Sequence, residues 1–132
     1  MNAPAPCRDK SRVLVVEDGI TTRMFYREVL EAAGFAVEEA VNGLEGVEKA
    51  LAGNFDLLLV DINMPKMDGY DVVRRVRGDD ALRRLPVVTI STEDRESDAV
   101  TAYEAGANFY MTKPVAPQDL TDIARLLTGR AS

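Results

Sequence analysis

The sequence predicts an α/β protein, a doubly wound (βα)5 fold built on a parallel five-stranded sheet. Three observations predict it. Short apolar runs recur five times, and each is followed by a stretch with helical periodicity. Most of the runs are apolar throughout, the mark of strands covered on both faces. Glycine or proline separates the segments, leaving connections that suit right-handed crossovers. The chain of 132 residues, 46% hydrophobic and 29% charged, can bury one sizeable core.

Residues 1–11, with two prolines and mixed charge, read as a flexible leader. "VLVV" (13–16) is a β-branched strand ending at Glu17-Asp18-Gly19. Thr21 or Thr22 is the expected cap of a helix through about Ala33, with Met24, Phe25, Val29 and Leu30 on its buried side and Gly34 as its stop. "FAVEEA" (35–40) alternates, as an edge strand does. Asn42-Gly43 turns the chain into a helix marked by Leu44, Val47, Ala50 and Leu51 and closed near Gly53. "DLLLV" (56–60) is a strand buried on both faces, and Val72, Val73 and Val76 mark the short helix after it. A polar connection and Pro86 lead to "VVTI" (87–90), which ends at Ser91-Thr92. Ala99, Ala102, Tyr103 and Ala105 mark a helix bounded by Gly106, and "NFYM" (108–111) is a fifth strand ending at Thr112-Lys113-Pro114. Leu120, Ile123, Ala124 and Leu127 form the stripe of a last helix, before a tail over 129–132.

Composition excludes several classes of function. A net charge of -6 and a pI near 4.7 disfavour a nucleic-acid binder, which needs a basic face. The absence of histidine removes the commonest general base, any Ser-His-Asp triad and any His-ligated zinc site. Cys7 is the sole cysteine, so no internal disulfide forms. No stretch has the apolar length of a membrane span, and the N-terminus lacks a signal-peptide core. The expected compartment is the cytoplasm.

In an open parallel sheet, ligands bind beyond the carboxyl ends of the strands. There this chain places Glu17 and Asp18, Asp61, Ser91 and Thr92, and Lys113. Singly, each has a plainer reading: a turn-forming acid, a helix-capping hydroxyl, a solvated lysine. Their coincidence at four strand ends points elsewhere. Three carboxylates held close together repel, so one takes a proton or a cation joins them. With oxygen ligands and open space, Mg²⁺ fits that need, with Mn²⁺ as a substitute. Asp61 is then the nucleophile for a phosphoryl group, with the Lys113 ammonium and the Ser91 hydroxyl facing the charge of the transferring group.

The segments "VLVVED", "LLLVDINMPKMDGYD", "LPVVTIST" and "AGANFYMTKP" resemble the receiver domains of two-component response regulators, including the stand-alone chemotaxis type. The resemblance spans residues 12–128. It implies a flavodoxin-like fold with strand order 2-1-3-4-5. It also implies that Asp61 accepts phosphate from a histidine kinase or phosphotransfer protein. Glu17 and Asp18 match the acidic pair that holds Mg²⁺, and Asn63 the position whose main-chain carbonyl is a further ligand. Ser91 matches the switch hydroxyl, with Thr92 beside it, Lys113 matches the family lysine, and Lys113-Pro114 is the expected cis peptide. Tyr110 falls at the aromatic switch position, while Asn63 and Glu93 stand where the family tunes dephosphorylation. The readout surface covers roughly residues 95–128. It is expected to dock a target protein, with the chain a monomer or a weak dimer on phosphorylation.

Two rivals remain at this level. A haloacid-dehalogenase-type phosphatase also uses an Asp after a strand, but it usually has a second Asp two residues on, where this chain has Asn63. A docking module indifferent to phosphorylation would keep the fold; such relatives tend to lose the acceptor, an acid or the lysine, and this chain has all three.

Overall fold

β3 (Leu57–Asp61) and β4 (Val87–Ser91) are buried at every position, as strands inside the sheet must be. The computed structural model describes residues 10–93 and 95–129. The remaining elements are β1 (Arg12–Val16), α1 (Ile20–Ala32), β2 (Ala36–Ala40), α2 (Gly43–Ala52), α3 (Gly69–Arg77), α4 (Glu96–Ala105), β5 (Phe109–Thr112) and α5 (Pro117–Thr128). The sheet runs β2-β1-β3-β4-β5 with every pair parallel, the order that the resemblance implies. The alternating strand β2 lies at one edge, as its pattern predicts. Leader residues 1–9, Cys7 among them, and tail residues 130–132 lie outside the described chain. Ser11, placed by the sequence in the leader, is buried, and its carbonyl accepts from Ala36 N.

Strand pleating explains why the apolar runs are continuous. Val13, Val15, Leu57, Leu59, Val88 and Ile90 face Tyr26 and Leu30 of α1 and Leu120 and Ala124 of α5. Leu14, Val16, Leu58 and Val60 face the other way, onto Val47 and Ala50 of α2 and Val72, Val73 and Val76 of α3. β1 and β3 are neighbours whose crossovers leave in opposite directions, so a crevice opens at their carboxyl ends. Among the described residues no helix is long and apolar enough to cross a membrane.

α3 and α5 bury the stripes the sequence predicts, while α1 and α2 depart from theirs in part, in ways that packing explains. In α1 the buried pair is Tyr26 and Leu30, four residues apart, while Met24 is 53% exposed. The helix starts at Gly19 without a side-chain cap, so neither Thr21 nor Thr22 plays that role. In α2, Leu44 and Leu51 face outward, and Gly43, Gly46, Val47 and Ala50 are buried. The reason is proximity: a Cβ on Gly46 would stand 2.7 Å from Val16 Cγ2, so the helix sits on β1 along its small residues. Asn42 and Asp68 cap α2 and α3 by accepting from Glu45 N and Asp71 N. Ser91 and Thr92 do not cap α4, whose N-cap is Arg95. β3 and β4 each run one residue beyond their predicted ends, which puts Asp61 and Ser91 inside the sheet.

The loop after β3 holds Lys66 at φ 68°, in the left-handed region. A side chain with a Cβ is strained there, and asparagine tolerates it better. Lys66→Asn is therefore expected to raise stability by roughly 0.5–1 kcal/mol in chemical denaturation.

Candidate functional site

The sheet ends bring the acids together. Glu17 follows β1 and is 2% exposed, Asp61 closes β3 and is 3% exposed, and Asp18 is exposed at the rim. Each offers a carboxylate oxygen, and these oxygens lie within 4.8 Å of one another. Lys113, half-buried just beyond β5, places Nζ 3.2 Å from Asp61 Oδ1 and 3.4 Å from Glu17 Oε1. One ammonium thus pairs with two of the three clustered carboxylates, and negative charge remains in excess. The Lys113–Pro114 peptide bond is cis.

A second cluster adjoins the first. Asn63 N donates to Asp61 Oδ1 at 3.1 Å. The Asn63 carboxamide oxygen accepts from Ser91 Oγ at 3.2 Å, Thr92 N at 3.0 Å and Thr92 Oγ1 at 3.3 Å. Ser91 Oγ accepts in turn from Glu93 N at 3.0 Å, and the Tyr110 hydroxyl donates to the Glu93 carbonyl. Tyr110 is half-buried on β5. The Glu93 carboxylate is engaged by Arg95 at 2.9 Å and does not join the acids.

The backbone fixes this arrangement. Ile62 N bonds to Ile90 O at 2.8 Å and Lys113 N to Ser91 O at 2.7 Å, so the segments carrying the side chains are pinned to their neighbours. Gly69 closes the loop under Asp61: its N–H reaches Ile62 O at 3.2 Å, and a Cβ there would lie 2.6 Å from Asp61 O.

Burial pushes the Glu17 carboxyl up to about 7, from an ordinary 4.5. The Gly19 N–H and Lys113 oppose that rise, and the Asp61 charge adds to it. Folded Glu17 therefore keeps its proton to higher pH than the unfolded chain does. Below pH 4.5 both states are protonated; between 4.5 and about 7 the unfolded chain deprotonates first, so stability falls as pH rises. The gap corresponds to about 3 kcal/mol. Urea denaturation in EDTA is expected to show this loss across the window, and Glu17→Gln to flatten it. The chain has no histidine, so no imidazole masks the effect.

Two features escaped the sequence reading. The Asn63 side chain gathers three donors from the end of β4, whereas only its main-chain carbonyl and a tuning role were expected. Tyr26 is a buried phenol whose pKa is raised by burial, then by the charges of Glu17 and Asp61. The four-residue step from Tyr26 to Leu30 was the available signal for it.

A family model for the response regulator receiver domain matches residues 13–125. The chain belongs to the response regulator receiver family. It is similar to chemotaxis protein CheY1 of Helicobacter pylori, 38% identical over 121 residues that cover 89% of this chain and 97% of that protein. It is also similar to the transcriptional regulatory protein ResD of Bacillus subtilis, 35% identical over 94% of this chain. The chain spans 50% of the length of that ResD protein. Among solved structures, the receiver domain of a sensor histidine kinase from Pseudomonas aeruginosa matches with a TM-score of 0.84 at 27% identity, over 91% of this chain and 98% of that one. That structure has a magnesium ion coordinated in its active-site cleft.

Proposed function

We propose that Asp61 is a phosphoryl acceptor and that its modification switches the surface formed by α4, β5 and α5. The reading treats residues 12–128 as one receiver unit working in the cytoplasm on a histidine kinase or phosphotransfer protein. The observation that carries it is the placement of Asp61, nine-tenths buried, between the Lys113 ammonium and two further carboxylates.

The donor set fits Mg²⁺. It is all oxygen, it carries surplus negative charge, and burial, with the Asp61 charge beside it, pushes the Glu17 carboxyl up to about 7. Glu17, Asp18, Asp61 and the Asn63 carbonyl would hold the ion. When bound, it neutralises the acids and polarises a phosphoryl oxygen.

The chain's own residues do the rest. Asp61 Oδ1 is held by Lys113 and Asn63 N, which fixes the carboxylate plane. The free lone pair of Asp61 attacks phosphorus, the P–N bond of a phosphoimidazole breaks, and the electron pair leaves with the imidazole. The product is an acyl phosphate. Lys113 moves its charge onto one equatorial oxygen. Ser91 Oγ, Thr92 N and Thr92 Oγ1, gathered at rest on Asn63, are the donors available to another.

Engaging Ser91 disturbs a continuous chain of hydrogen bonds: Asp61, Asn63, Ser91, the Glu93 backbone and Tyr110. Tyr110 lies at the β5–α5 groove, so the charge change reaches the proposed output face. The test loads the protein with beryllofluoride and Mg²⁺ and follows backbone amide shifts. Shifts at Asp61, Asn63, Ser91, Glu93 and Tyr110 are expected. Their absence would overturn the reading, and steady hydrolysis of a phosphate monoester would favour a phosphatase instead.

A further inference from the structure

The β5 edge bears a groove of about 410 Å³ between β5 and α5. Its lip is apolar and exposed: Phe109 is 36% exposed and Leu126 72%. On the adjacent α4, Val100 and Tyr103 are 47% and 46% exposed. Single exposed apolar residues are ordinary; four on three adjacent elements mark a surface made to be covered.

The charge beside these residues has one sign. α4 carries Glu96, Asp98 and Glu104 and no lysine or arginine. α5 adds Asp119 and Asp122, which line the groove with Leu126. Neighbouring bases are turned to other work. Arg95 pairs with Glu93 at 2.9 Å and Asp98 at 3.2 Å. Arg125 lines the cleft between α1 and α5, beside Phe25. Arg77 spends its guanidinium on Gly106 O, Leu85 O and Asn108 Oδ1.

We infer that this face docks another protein through an amphipathic segment whose apolar side chains are flanked by Lys or Arg, and that it does not pair with a second copy of itself. The inference deepens the output surface proposed above and rests on that reading. Symmetric pairing would set Glu104, Asp119 and Asp122 of one copy against the like-charged patch of the other, while among the described residues Arg95 is already paired and Arg125 lines the cleft with α1. A basic-flanked segment meets the opposite condition. Its apolar residues fill the groove by Phe109 and Leu126, while its cations face Asp119 and Asp122.

The test uses the full chain and two synthetic helical peptides of about 16 residues, alike in their leucines but flanked by Lys in one and Glu in the other. Fluorescence anisotropy is measured at low and high salt, with and without beryllofluoride and Mg²⁺; amide shifts locate the contact. The Lys peptide is expected to bind about tenfold more tightly at low salt, with the preference fading at high salt and shifts confined to α4, β5 and α5. The double substitution Asp119→Lys, Asp122→Lys is expected to cost the Lys peptide about tenfold in affinity and to leave beryllofluoride loading intact. Sedimentation is expected to show a monomer in both states. Equal affinity for the two peptides, shifts elsewhere, or a beryllofluoride-induced dimer through this face would overturn the inference. A failure of loading, read at the Asp61 and Asn63 amides, would instead strike the phosphorylation reading, while the peptide preference of the unloaded protein still decides the docking chemistry.

Discussion

Asp61→Asn is expected to abolish phosphoryl uptake from acetyl phosphate in Mg²⁺, to at least about a hundredfold below the parent. The substitution is nearly isosteric, and its carbonyl oxygen can still accept from Asn63 N, as Asp61 Oδ1 does at 3.1 Å. What it removes is the carboxylate charge and the nucleophilic oxygen. The fold is expected to survive and to gain. Glu17 and Asp61 are 2% and 3% exposed, and they share one ammonium at 3.4 and 3.2 Å. Replacing one charge with an amide relieves their repulsion and leaves Lys113 to Glu17. In metal-free buffer at neutral pH the variant is expected to melt higher, by roughly 1 kcal/mol or about 4 °C. Radiolabel uptake and a thermal melt on the same sample separate the outcomes. Undiminished labelling of a folded Asp61→Asn would place the acceptor elsewhere.

Gly69→Ala is expected to lose about 2–4 kcal/mol, although alanine is the better helix former by about 1 kcal/mol. The cause is space rather than backbone angle. A Cβ at residue 69 would stand 2.6 Å from Asp61 O, 2.7 Å from Ile62 Cα and 2.8 Å from Ile62 Cδ1. Two of these atoms are main chain at the end of a buried strand, so no side-chain rotation relieves them. Any relief moves Asp61 away from Lys113, and phosphoryl uptake is expected to slow even in the fraction that folds. Gly78→Ala is the control: its Cβ would meet Arg74 O at 3.4 Å, and the residue has a helical φ of -82°. That variant is expected to unfold within about 0.5 kcal/mol of the parent. Urea denaturation of both, with m-values compared, tests the pair; equal stabilities would show that the loop yields freely.

The continuous runs at 13–16, 57–60 and 87–90 made the parallel sheet legible, because only strands covered on both faces are apolar at every position. The alternation of "FAVEEA" likewise marked the edge strand. The site was legible for a related reason. Once strand ends are located, the residues after them must converge, so Glu17, Asp61 and Lys113 could be paired across 44 and 96 positions without coordinates. Helix faces were read less well. Periodicity puts Leu44 and Leu51 on one stripe, but Gly46 lets α2 seat on Val16 with that stripe turned outward. Met24 and Tyr26 differ by about half a turn, and which of them is buried depends on the cavity that α5 and β5 leave.

The amino-acid order alone determined the layered α/β architecture and the identity of the residues meeting at the strand ends, because hydrophobic period and strand termination are local properties. Only the tertiary structure decided that the Asn63 amide collects Ser91 and Thr92 and that Glu17 is driven toward neutrality. Those outcomes depend on burial and on distances of about 3 Å between residues far apart in the chain, where hydrogen bonds and charges change their worth with every ångström.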